Sequence, residues 1–239
     1  LWFNCPDIST IVFSRRLYRQ AASQFPCIEK SLQLFPPILG QGFFSQADPE
    51  KLSKIRKRFG FTGPQNYLLF AGGGEGFPKG LQSIAKLLKA GTDFHILLVC
   101  GKDSVLRARA EKLRRTFPGS SFTVFGYVDF MAELMQLADI VVSKGGPATI
   151  MEALKCGKPV LLVHYLYGQE RGNMEYVVRN RFGYFVPSPS DLPEIVKRLH
   201  KNPELYAAIQ KRILNKPPQS GTAAIADYIV RLESQNKVE

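Results

Sequence analysis

The sequence predicts a doubly wound α/β fold, and three observations carry that prediction. From residue 66 onward, short apolar runs alternate with longer segments of helical period. The apolar runs are near-continuous rather than alternating, which marks strands of a parallel sheet covered on both faces. With 45% hydrophobic residues in 239, the chain also has core enough for one large domain, or a medium one with an appendage.

The elements follow in order. TIVFS (10–14) reads as a strand and RRLYRQAASQF (15–25) as a helix, whereas LFPPILGQGFF (34–44) is a Pro/Gly-rich passage suited to a linker or hinge. SQADPEKLSKIRKRFGF (45–61) reads as a helix leading into the main domain. Strands are predicted at 66–73, 94–101, 122–128, 139–143, 159–165 and 184–187. Helices are predicted at 79–91, 104–117, 129–138, 148–157, 169–180 and 190–202, and a last amphipathic one at 221–235. The expected division is 1–45 as the remnant of a preceding domain with its linker, 46–218 as the main domain, and 219–239 as a carboxyl-terminal helix. In such sheets ligands bind at the carboxyl ends of the strands. Chemistry is therefore expected where loops 72–80, 101–104, 126–130, 143–149 and 164–172 converge.

A net charge of +12 is concentrated in SRRLYR (14–19), KLSKIRKR (51–58) and RARAEKLRR (107–115). Such runs attract polyanions, although each also reads as an ordinary solvated helix face. Nucleic acid, anionic lipid headgroups and a phosphorylated small molecule all qualify on charge, but the interleaved aromatic motifs of nucleic-acid binders are absent. The apolar runs fall far short of the roughly 18–20 residues that cross a bilayer. The chain opens on Leu1 without a signal-like leader and reads as a fragment or processed form. Cys5, Cys27, Cys100 and Cys156 form no CxxC pair, as expected of reduced intracellular thiols.

Two glycine clusters stand at predicted strand ends. In SKGGPATIMEALKCG (143–157), Gly145 and Gly146 permit a sharp turn and Pro147 suits a first helical turn. Free amides and the positive end of the helix dipole would then face one spot, as a diphosphate requires. Thr149 and Glu152 lie three apart, so the carboxylate can accept hydrogen bonds from ribose hydroxyls or reach back in a capping box; spacing leaves both open. GGGEGFPKG (72–80) lacks the full G-x-G-x-x-G fingerprint, and no acidic residue ends the next strand, which disfavours a dinucleotide. One phosphate chain gripped from two sides still fits, with Lys79 or Lys144 adding charge. In HYLYGQERGNMEYV (164–177), Gln169, Glu170 and Asn173 offer donors and acceptors suited to sugar hydroxyls. His164 stands near the same edge, whereas His95 and His200 read as structural or surface residues. D-x-D, HExxH, GxSxG and a full Walker loop are absent.

The stretch DIVVSKGGPATIMEALKCGKPVLLVHYLYGQERGNMEYVVRNRFGYFV resembles the donor-binding half of family 28 glycosyltransferases. That family has the two-domain GT-B fold and includes the monogalactosyldiacylglycerol synthases, the processive diacylglycerol glucosyltransferases and the transferase that makes lipid II. GQERGN followed by YVV is most similar to the glycerolipid enzymes, and the likeness runs from about 66 to 200.

The resemblance implies that Glu152 holds ribose and that Gly146, Pro147, Ala148 and Thr149 line a diphosphate. It places Gly73 and Gly74 on the opposite loop, the backbone of Tyr127 and Val128 against uracil, and Gln169 with Glu170 against the donor sugar. It implies an inverting, metal-independent transfer of a hexose from a UDP-sugar to a lipid such as diacylglycerol. No cofactor is expected beyond the UDP-sugar substrate, and no nucleic-acid partner. The expected setting is cytoplasmic and peripheral on an anionic membrane. The general base belongs to an amino-terminal acceptor domain, so this chain alone is expected to be incomplete and to need that domain or a partner chain. A non-catalytic nucleotide-sugar-binding subunit, or a UDP-N-acetylglucosamine transferase or epimerase of the same architecture, remains an alternative.

Overall fold

The computed structural model describes residues 8–45, 48–61, 66–73, 77 and 80–236. The chain divides into two compact units, residues 1–40 with 218–239 and residues 41–217. The first division falls inside the Pro/Gly-rich passage.

The smaller unit contains a feature that periodicity missed. Strand β1 (Thr10–Val12) and strand β2 (Leu32–Leu34) pair in parallel, with Ile11 opposite Gln33, and helix α1 (Arg15–Gln24) makes the crossover. Ser14 caps α1 by accepting from the amide of Leu17 at 3.1 Å. Val12, Ala21, Ile28 and Leu32 form its small core. Strand β1 lies inside the predicted 10–14, but β2 has only three residues, too short for an alternation to stand out. The final helix of the chain, Thr222–Asn236, joins this unit: the amide of Gly221 donates to the carbonyl of Pro37 at 2.9 Å, and Tyr228 donates to Ser9 at 3.1 Å.

The larger unit begins with α2 (Pro49–Arg58), capped by Asp48. Then β3 (Asn66–Ala71), α3 (Gly80–Ala90), β4 (Phe94–Val99), α4 (Ser104–Thr116), β5 (Phe122–Phe125) and α5 (Met131–Leu137) alternate. They are followed by β6 (Ile140–Lys144), α6 (Pro147–Lys155), β7 (Val160–His164), α7 (Arg171–Arg179), β8 (Gly183–Phe185) and α8 (Leu192–Lys201). All six strands are parallel, in the order β5-β4-β3-β6-β7-β8. Leu68, Leu69, Phe70, Ile96, Leu97, Leu98, Val141 and Val142 are buried outright, as apolar strands under helices on both faces must be. The doubly wound α/β architecture is thus the one the sequence predicts.

One helix was not foreseen. Helix α9 (Pro203–Leu214) follows α8 directly, with Asn202 accepting from the amide of Leu205 at 2.9 Å and Pro203 in the first turn. Asn-Pro followed by Leu205, Ile209 and Ile213 at helical spacing is the signal that identifies it. The last helix of the chain, Thr222–Asn236, is α10.

The strand order reverses between β3 and β6, the first and fourth strands of the unit. Their pairing runs from Leu68↔Ile140 to Phe70↔Val142 and then stops. Just beyond, the fully buried Ser143 hydroxyl donates to the carbonyl of Ala71 at 2.5 Å, tying the two strand ends together below the loops. Ser143→Ala is expected to lower unfolding free energy by about 1–2 kcal/mol, because it leaves a buried carbonyl short of a donor. Chemical denaturation with unchanged m-value checks this.

Candidate functional site

In a doubly wound sheet the crevice lies outside the carboxyl ends of the strands, at the reversal of strand order. Here the turn after β6 and the turn after β3 flank that point. Along the same edge, the order of strands sets the order of loops: Tyr127 and Val128 after β5, Gly73 after β3, Gly146 to Thr149 after β6, then Gln169 and Glu170 after β7. At ordinary strand spacing, β5 to β7 spans roughly 19 Å. Gly74 and Lys79 lie outside the described residues, as do Gly76 and Cys5.

The turn after β6 is fixed by its neighbours. Gly145 donates its amide to the carbonyl of His164 at 2.8 Å, and its own carbonyl accepts from the Asn173 side chain at 2.9 Å. A Cβ at 145 would lie 2.8 Å from Cβ of Tyr165 and 3.0 Å from Cβ of Glu170. Those atoms sit next to backbone and cannot swing away, so the close approach of the β7–α7 loop requires glycine here.

Helix α6 starts at once: Gly146 is its cap, in extended backbone conformation, and Pro147 its first residue. Among the described residues no side chain caps it. By contrast, Asp103 caps α4 at 2.8 Å through the amide of Leu106. The first-turn amides of Ala148 and Thr149 thus have no side-chain cap among the described residues, at the positive end of the helix dipole. Pro147 and Ala148 are exposed, Gly146 is half-buried, and Thr149 is almost covered. The Lys144 side chain passes the same turn, its Cε 3.9 Å from where a Cβ of Gly146 would be.

This geometry removes the capping-box alternative. A capping box at Thr149 needs the helix to begin after it, but Gly146 already holds that place. Glu152 stands nearly two turns inside the helix and cannot fold back over the cap. Its carboxylate is half-buried and has no hydrogen-bond or ion-pair partner among the described residues. Burial holds its proton affinity above that of an ordinary glutamate.

Gln169 and Glu170 part company. Gln169 is exposed, as is Tyr167. Glu170 is only 7% exposed, and its Oε2 accepts from the amide of Leu166 at 2.8 Å. That carboxylate closes the β7–α7 loop on itself and lies against the Gly145–Gly146 turn. Its loop-bracing part was not legible in the sequence, since Leu166 and Glu170 join an unpaired amide to an acid only once the turn is formed.

On the other side, Gly73 is exposed and has φ of +84°, with nothing within 4 Å of a Cβ position. Its backbone conformation, rather than crowding, calls for glycine. Tyr127 is exposed, with the Lys102 ammonium 5.9 Å from its ring centroid; Val128 is half-buried against the core. His95 pairs its Nε2 with Thr123 Oγ1 at 2.7 Å inside the sheet, and burial lowers its pKa, so it belongs to the scaffold. Cys27, Cys100 and Cys156 are free, and burial pushes the latter two thiols up to about 11. Among the described residues no cluster of His, Cys, Asp or Glu is spaced to hold a metal ion, and no helix is long and apolar enough to cross a membrane.

The family model described as glycosyltransferase family 28 C-terminal domain matches residues 67–220, the whole of this sheet with its helices. The chain belongs to that family. Family 28 relatives include monogalactosyldiacylglycerol synthase 1 of Arabidopsis thaliana, 33% identical over 150 residues that make up 60% of this chain and 28% of the relative. Processive diacylglycerol beta-glucosyltransferase of Bacillus pumilus is 27% identical over 185 residues, 77% of this chain and 48% of the relative. This family 28 chain therefore spans less than half the length of either. Among solved structures, Anabaena HepE in complex with UDP shares the fold, with a TM-score of 0.66 and 16% identity over 94% of this chain and 63% of that one.

Two expectations follow from the geometry. Gly145→Ala is expected to cost about 1–3 kcal/mol of stability by overpacking against Tyr165 and Glu170, read from thermal or denaturant unfolding. Ionising Glu152 opposes folding, because its folded pKa lies above the unfolded one. Stability contributed by the neutral form is thus lost as pH rises from the usual glutamate range through the raised value. Glu152→Gln is expected to melt above the wild type at neutral pH, with the difference fading once the solution is acidic enough to protonate both states; a pH series of melting curves decides it.

Proposed function

We propose that this chain supplies the donor-binding part of an enzyme that transfers a hexose from a UDP-sugar to a lipid acceptor such as diacylglycerol. The observation that carries the reading is the pairing of two features at the strand-order reversal. One is a helix start without a side-chain cap, the other a half-buried carboxylate without a hydrogen-bond or ion-pair partner, both among the described residues. A diphosphate ester of ribose satisfies both at once, its anion at the helix start and its two adjacent hydroxyls on Glu152.

The remaining roles follow the order of the loops. The backbone of Tyr127 and Val128 meets the uracil ring, and Gly73 lets the loop after β3 approach the diphosphate. Gly146, Pro147, Ala148 and Thr149 line it from the α6 side, with Lys144 adding charge. Gln169, exposed beyond β7, reaches the donor sugar. Glu170 faces the same sugar with the oxygen that does not brace Leu166. Loop order thus follows the order of groups in the donor: base, ribose and diphosphate, then hexose.

In the transfer, the acceptor hydroxyl attacks the anomeric carbon with inversion while the bond to the diphosphate oxygen breaks. Negative charge collects on the departing UDP. Amides of α6, the helix dipole and Lys144 offset it, which is where fixed dipoles accelerate a reaction most. This arrangement serves without a bound metal, and the proton of the acceptor is taken by a residue outside this chain. The names of the curated relatives, synthases and transferases of diacylglycerol sugars, support a lipid acceptor. HepE in complex with UDP supports a uridine donor on this fold.

Isothermal calorimetry on the 239-residue chain is the test. UDP is expected to bind, with affinity unchanged by a chelator, and Glu152→Ala to weaken it by about 1–3 kcal/mol, the worth of hydrogen bonds to a charged group. Equal affinity of variant and wild type would remove Glu152 from the site. Comparison of UDP-glucose, UDP-galactose and UDP-N-acetylglucosamine identifies the sugar.

A further inference from the structure

We propose that the outward face of α4 docks this domain onto an anionic lipid bilayer. Leu106 and Ala110 are buried and fix which side of the helix faces the sheet. On the flank beside that buried side, Val105, Arg109 and Lys112 follow one another at helical spacing, Arg115 lies opposite Leu106, and all four are exposed.

The acids of this region are already engaged. From Lys102 to Arg115 there are six basic residues and two acidic ones. Of the two, Asp103 caps the helix, and Glu111 pairs with Arg114 at 2.8 Å. Among the described residues Arg109, Lys112 and Arg115 form no ion pair, so the stripe keeps positive charge that complements a layer of phosphate headgroups.

Charge is joined here by apolar surface. Val105 is 59% exposed and Tyr127 68% exposed, both at the amino-terminal end of α4, where the helix leaves the carboxyl edge of the sheet. Lys102 lies against the Tyr127 ring. An aliphatic and an aromatic side chain ringed by cations suit the headgroup–acyl boundary, where aromatic rings and long basic side chains settle. A nucleic acid would use the cations but leave Val105 in water, so the bilayer is favoured. Helix α2 offers the contrast: Lys51, Lys54 and Lys57 are exposed, yet Lys54 pairs with Glu50 at 2.7 Å, and no large apolar side chain of α2 is exposed. Basic composition alone does not make the α4 face.

Docked this way, the carboxyl edge that carries the proposed donor site lies next to the surface that holds a lipid acceptor. The inference rests on the proposed function only for that last step; vesicle binding needs no nucleotide, so either reading can fail while UDP calorimetry or flotation upholds the other.

The test is flotation of the 239-residue chain with vesicles of phosphatidylcholine, or of equimolar phosphatidylcholine and phosphatidylglycerol. Binding is expected to the second only, weakening with salt. Arg109→Glu with Lys112→Glu and Arg115→Glu is expected to reduce it at least about 20-fold. Lys51→Glu with Lys54→Glu and Lys57→Glu removes the same charge from α2 and is expected to change it about twofold or less. Equal loss in both variants, no binding by the wild type, or tighter binding of single-stranded RNA lost in the α4 variant would overturn the proposal. A second reading does not depend on the folding of the triple variant: Val105→Trp with Trp2→Phe places the chain's one tryptophan on the patch. Its emission is expected to shift to the blue with anionic vesicles, and flotation without that shift contradicts α4 as the contact.

Discussion

The arrangement depends on the place where strand order reverses. Consecutive parallel strands are joined by right-handed crossovers, so helices after β3 and β4 cover one face while those after β6 and β7 cover the other. The loops on either side of the reversal must therefore part, and the sheet cannot fill the gap between them. Ser143, buried and bound to the end of β3, keeps the strands together up to that point. The proposed diphosphate residues sit on the loop and helix start that leave from there, and the other proposed contacts follow on loops along the same edge.

Glu152 shows what the site demands of the fold. A carboxylate drawn out of water without a partner is unfavourable, and a chain built for stability alone would place an amide or an apolar residue there. The neighbouring helix start has the opposite deficiency, donors without a side-chain cap among the described residues. The two lacks are complementary in chemistry to one guest molecule but cannot relieve each other, because helix α6 itself holds them nearly two turns apart.

Much of the larger unit was legible because its strands are apolar without interruption, and its helices keep a clear period. The glycine turn and Pro147 placed the start of α6 to within a residue, but the T-x-x-E spacing left a capping box open for Glu152, and Gly146 in the cap position removes it. Helix α9 was missed where one helix follows another with a single cap residue between, which leaves no loop to mark the break. Strand β1 was legible, but its partner β2 was missed because a strand of three residues carries almost no pattern, and their partnership joins residues 22 positions apart. The engagement of Glu170 with Leu166 arises only from the turn that brings amide and acid together. Patterns of one element survive in sequence, whereas contacts between elements of this length do not.

The turn after β6 has one more property. Both the amide and the carbonyl of Gly145 are bonded, to β7 and to α7, so its two peptide planes are pinned before anything arrives. The diphosphate proposed for this site would meet a turn already set, with little chain disorder to freeze out on arrival. On the α6 side, the entropic toll of binding the proposed donor would then fall on the visitor's own rotatable bonds, which makes this turn a preset template rather than a surface that moulds itself around its guest.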